Sequence, residues 1–151
     1  MRHSREEVID RTILEFALLD NLVGGLRYVE WRRWVRRAAG EDPWTVKDAL
    51  VHIAYWKADA ARFALGRRRP PDVRGLSTLD HNHLVYERWR DRSPEEVRAW
   101  HRQVQEEVLA ALKEAPEAWF NGREREAEWP LDLDGHSASH RVRDMERVVK
   151  R

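Results

Sequence analysis

The sequence predicts an all-α protein, a bundle of four main helices. Three observations lead there. Apolar residues recur at helical spacing in the long segments, Ser or Thr followed by acids opens those segments, and no stretch alternates apolar and polar residues as a strand would. At 151 residues the chain has room for one domain with a real core, taken as residues 1–151, and not for two comfortable ones.

SREEVIDRTILEFALLDNLV, from Ser4, joins a Ser cap and early acids to apolar positions at Val8, Ile9, Ile13, Phe16, Leu19, Leu22 and Val23. Gly24-Gly25 interrupts this first helix, and LRYVEWRRWVRRAA either continues it or forms a second, shorter piece before Gly40. In the next helix Thr45 with Asp48 resembles a capping box, and Ala49, Ile53, Trp56, Ala60, Phe63 and Ala64 form an inward stripe that ends at Gly66. GRRRPPDVRGLS holds two prolines and two glycines, a loop long enough to carry the chain back so that the following helix lies parallel to this one. Ser77 with Asp80 opens that helix through Val85, Tyr86 and Trp89. Ser93-Pro94-Glu95-Glu96 marks a kink or fresh start, and Val97, Trp100, Val104, Val108 and Leu112 extend the stripe to near Pro116. Glu117 to Gly135 reads as loop, with Trp119, Phe120, Trp129 and Leu131 as anchors, and a last helix runs from about Ser137 to the end.

Charge is abundant but balanced. Asp, Glu, Lys and Arg make up 36% of the chain yet sum to a formal +1, which argues against a dedicated nucleic-acid or membrane-surface protein. With no cysteine, disulfides, thiolate metal sites and thiol nucleophiles are excluded, so any metal must be held by His and carboxylate. The opening MRHSREEVID places charges where a signal peptide needs an apolar core, and no run is apolar enough for a membrane span; the chain reads as soluble and cytoplasmic.

HSASHRVRD, His136 to Asp144, offers two overlapping pairs four residues apart, His136 with His140 and His140 with Asp144. Either spacing stacks two side chains on one helix face and so supplies half of a metal site. His81 and His83, two apart, point in nearly opposite directions on a helix and do not share an ion easily. Arg67-Arg68-Arg69 suits a helix C-terminus, and His3 and His101 read as surface residues. Trp56 and Trp129 are candidates to line a substrate pocket, among eight Trp in all.

Three segments resemble the DinB-like superfamily of four-helix bundles. WTVKDALVHIAYW, Trp44 to Trp56, is similar to its second-helix signature; LDHNHLVYERWRDRSPEEV, Leu79 to Val97, resembles the third-helix region of the branch that includes the colibactin self-resistance protein; and SASHRVRDMERV, Ser137 to Val148, resembles that branch's last helix. The resemblance implies an up-down-down-up bundle with a long crossover between helices two and three. It also implies a divalent metal, held by one His of helix two and two ligands four apart on the last helix.

Carried onto this chain, the helix-two ligand is His52, and the last helix fits in two registers. His136 with His140 would complete a three-His site, but Ala138, Val142, Met145 and Val149 cluster on the opposite side of an ideal helical wheel. His140 with Asp144 would complete a two-His-one-carboxylate site suited to Zn, Ni, Mn or Fe(II), and the wheel favours it. The implied function is a metal-dependent transferase using a low-molecular-weight thiol, or a hydrolase, acting on a small molecule as a homodimer. A non-catalytic small-molecule-binding bundle and a structural dimer stand as alternatives.

Overall fold

The computed structural model describes residues 3–121 and 133–150 and is helical, without strands among those residues. Helix α1, Arg5–Gly24, starts on Ser4, whose side chain accepts from the Glu7 amide, and stops at Gly25, which caps the carbonyls of Leu22 and Val23. Its buried residues, Val8, Thr12, Glu15, Leu19 and Val23, include two polar side chains. The segment after the glycines does not resume as a long helix. After the single turn α2, Tyr28–Trp31, the chain is extended, with Val35 donating to the Trp44 carbonyl (2.9 Å) and Val46 to that of Arg33 (3.0 Å). Trp31 and Val35 are buried, while Trp34 faces outward.

Helix α3, Val46–Ala64, begins with the expected capping box of Thr45 and Asp48 and ends before Gly66, whose φ of +70° favours glycine. Its buried face is broader than the expected stripe, and Phe63 lies outside it, half exposed.

The return along the bundle differs from the sequence expectation. A short 3-10 turn, Pro71–Val73, leads to α4, Thr78–Trp89, and then α5, Pro94–Glu114, capped by Ser93 with Pro94 in the first turn. Trp56 of α3 meets Asn82 near the start of α4, and Lys47 at the start of α3 donates to the Arg92 carbonyl just past the end of α4 (2.8 Å). Helix α4 is therefore antiparallel to α3. Lys57 meets His101 of α5, so α5 is the helix parallel to α3. The loop alone does not bring the chain back; the loop and α4 together do, because α4 continues the climb that the loop begins.

Arg5 bonds the Ala115 carbonyl and Asp20 pairs with Arg98 and Arg102, which sets α1 antiparallel to α5. After the short α6, Glu117–Phe120, the chain re-enters the described residues at Leu133 and forms α7, Gly135–His140. It continues through a π-helical turn, Arg141–Glu146, into α8, Arg147–Val149. Arg11 bonds Asp134 and Glu15 bonds Arg141, so this last helix is parallel to α1. Helices α1, α3, α5 and α7–α8 thus run up, down, down and up.

Two apolar clusters fill the bundle. One gathers Leu19, Val23, Trp44, Leu50, Ile53, Val97, Met145 and Val148; the other gathers Val8, Val104, Val108, Leu112, Phe120 and Leu133. Buried polar groups lie at the level between them: Glu15 with Ser137 (2.8 Å), and Lys57 with His101 (3.0 Å). His101 is fully buried and His3 nearly so, which corrects the reading of both as surface residues. A lone His on a mostly polar helix stretch carries no sequence mark of the lysine that waits opposite it.

Candidate metal centre

The extended segment and capping box that start α3 fix the position of His52, seven residues past the cap. Its ring packs on Trp44 (centroids 4.6 Å apart) and is largely shut off from water. His136 comes from the first turn of α7, where the Ala138 amide is bonded to the Asp134 carbonyl (2.8 Å), and His140 from the end of that helix. The three rings lie within 4.7 to 4.9 Å of one another, centroid to centroid. Each contributes one ligand nitrogen to a group in which all three lie within 4.8 Å of one another.

His52 Nε2 and His136 Nε2 face each other at 3.0 Å. The contact is a hydrogen bond between the two rings, and because two nitrogens bound to one ion at ~2.0–2.1 Å sit about 3.0–3.4 Å apart, the same spacing fits a shared divalent ion. Burial, reinforced by the neighbouring His136 and His140, pushes the His52 imidazolium down to about 2, and burial with His140 nearby pushes His136 to about 4. Both rings are neutral at pH 7, the form that binds metal. His136 Nδ1 is buried without a hydrogen-bond partner among the described residues.

Asp144 stands outside the group of three. Its Oδ2 accepts from His140 Nδ1 at 2.6 Å, and Arg143 donates to its other oxygen at 3.3 Å. Burial alone would raise this carboxyl, but the His140 and Arg143 hydrogen bonds outweigh it and hold the group below the usual carboxylate range. With Nδ1 so engaged, His140 presents Nε2 to the other two rings, the arrangement by which a carboxylate orients a ligating imidazole.

The geometry therefore gathers His52, His140 and His136 into one group and sets Asp144 against His140, an arrangement that the helical wheel does not anticipate. The reason is the π turn. On an α-helix Met145 would lie about 140° from His140. An i→i+5 turn holds more residues per revolution, which swings Met145 and Val148 onto the buried side with His140 and Asp144 and leaves Val142 exposed.

Beside the rings is a cavity of about 330 Å³, lined by Arg37, Glu41, Asp42, Trp44, His52, Thr78, Leu79, Asn82 and His140. Trp44, not Trp56, forms its aromatic wall. Trp56 is not part of the lining and donates to Asn82 Oδ1 at 2.9 Å, with its ring edge-on to His52. Trp129 lies outside the described residues. His81 and His83 go to separate partners, Tyr55 and Asp42. Sequence reasoning misses Arg37, Glu41 and Asp42, because only the pairing of residues 33–35 with 44–46 turns that segment toward His52.

By fold and site this is an up-down-down-up helical bundle with a three-imidazole candidate metal centre between its second and last long helices. The chain belongs to the DinB superfamily, whose sequence profile matches residues 16–143. Comparison with curated proteins and with solved structures finds no match. No helix among the described residues is long and apolar enough to cross a membrane.

Proposed function

We propose that the protein is a metal-dependent enzyme of the DinB superfamily that binds one divalent ion through His52, His136 and His140 and acts on a small molecule, as a thiol-dependent transferase or a hydrolase. The observation that carries this reading is the convergence of three imidazoles, one of them held in orientation by a buried carboxylate. An all-nitrogen set suits Zn and its borderline neighbours better than Mg or Ca. When bound, such an ion supplies Lewis-acid polarisation of a substrate oxygen or lowers the pKa of a water or thiol.

The chain's own residues do the rest. His52 and His136 offer neutral nitrogens, Asp144 fixes the tautomer of His140, and Trp44 keeps water from one side of the rings. The cavity beside them, about 330 Å³, is of a size for a small substrate, which supports the small-molecule reading.

Elemental analysis of untagged protein tests the metal reading. About one divalent ion per chain is expected, and its loss in His52→Ala and His136→Ala. Metal-free protein whose melting temperature is unmoved by Zn, Ni, Mn or Fe(II) would overturn it. Turnover of electrophilic substrates with and without an added low-molecular-weight thiol then separates transfer from hydrolysis.

A further inference from the structure

The cavity beside the imidazoles has a second recognition element, and we infer that it receives a carboxylate group of a small anionic ligand through Arg37 and Asn82. This deepens the proposed function by naming a substrate class for the same site, but the carboxylate contact stands on its own residues.

Arg37 is partly buried, its side chain 20% exposed, and its guanidinium carbon lies over the Trp44 ring, 3.4 Å from the centroid. Its Nε donates to the Asp42 carbonyl at 3.2 Å and its Nη2 pairs with Glu41 at 2.8 Å. Among the described residues Nη1 has no partner, so the outer edge of the fork is free. Solvent reaches Nη1, so a ligand oxygen can take the place of water there and gain a charge-assisted hydrogen bond.

Asn82, which lines the same cavity, is held in one orientation. The Trp56 indole can only donate, so the Asn82 atom it meets at 2.9 Å must be the carbonyl oxygen. That leaves the Asn82 amide N–H groups without a protein partner among the described residues, on a residue that lines the cavity.

The two acids in the lining do not cancel this preference. Asp42 is paired with His83 at 2.9 Å, and Asp42 draws the His83 imidazolium above its ordinary range. Glu41, the more exposed partner of Arg37 with 38% of its side chain accessible, shows that this fork accepts a carboxylate. A ligand carboxylate would share the guanidinium with Glu41 or displace it. A planar fork is the group suited to a planar two-oxygen anion.

The test follows the side-chain N–H signals of Arg37 and Asn82 by NMR during titration with succinate and, separately, with neutral succinamide, on zinc-supplemented and on chelator-treated protein. Saturable shifts with succinate alone are expected. Arg37→Met should weaken binding at least about tenfold, and Glu41→Gln, which keeps the guanidinium and removes its competitor, should tighten it several-fold. Equal binding of succinamide, or no change in either variant, overturns the inference. Protein that takes up no metal yet binds succinate through Arg37 overturns the metal reading alone; protein that holds metal and shows no Arg37 or Glu41 dependence overturns this inference alone.

Discussion

His140 and Asp144 form a buried pair in which the ring Nδ1 and a carboxylate oxygen stand 2.6 Å apart, one turn along the same helix. In this arrangement the carboxylate engages Nδ1 and leaves Nε2 as the ring nitrogen that remains for another partner.

Asp144→Asn should therefore weaken metal binding without abolishing it. A neutral amide in that position holds the ring less firmly and makes it less basic, and losing such a partner typically costs about 10–100-fold in affinity. Competition against a chelator of known affinity measures this. One ion per chain should remain at saturation in Asp144→Asn, whereas His136→Ala should lose it.

The metal-free protein should lose stability in acid. The fold depresses His52 to about 2 and His136 to about 4 from an ordinary 6.5, and it lowers His101 well below 6.5 because burial, followed by Lys57, opposes its charge. Below pH 6.5 the unfolded chain binds protons that the folded chain refuses, so this stability is complete above 6.5 and drains away as pH falls toward 4. Thermal midpoints recorded from pH 7 to pH 4 should drop steadily, and less so in His136→Gln. A flat profile would mean that the imidazoles charge within the fold at no cost.

Lys57 makes a prediction on the alkaline side. Its ammonium is fully buried, its one hydrogen-bond partner among the described residues is His101, and burial pushes its pKa down to about 8 from 10.5. Above pH 8 the folded lysine is neutral while the unfolded one still carries its proton, so stability rises with pH through that window, by up to roughly 3 kcal/mol. The melting temperature of wild type minus that of Lys57→Met should grow between pH 8 and 10. A constant difference would show that Lys57 keeps its charge in the fold.

Thr45→Ala should cost about 1 kcal/mol, because the side chain caps the Asp48 amide at the start of α3. Chemical denaturation measures this, with Thr45→Ser expected to restore most of the loss and metal stoichiometry expected to stay unchanged.

The helix starts were legible because their signals are local. Ser4, Thr45, Ser77 and Ser93 each accept the backbone hydrogen bond that their spacing predicts. His52 was legible through the segment around it. His136 was legible as a candidate through its spacing from His140, but its rank against Asp144 was not, since a regular wheel contains no π turn, and Val142, which it counts as core, lies half exposed. The buried Lys57–His101 contact was equally hidden, because it joins residues 44 positions apart on different helices.

Helix α4 supplies one wall of the cavity through Thr78, Leu79 and Asn82, and it is the segment joining the two descending helices. The three imidazoles come from other elements. Insertions or deletions in the loop before Ser77 would therefore slide that wall across the opening and leave the ring geometry untouched. In this architecture the wall beside the rings and the rings themselves are set by different stretches of the chain.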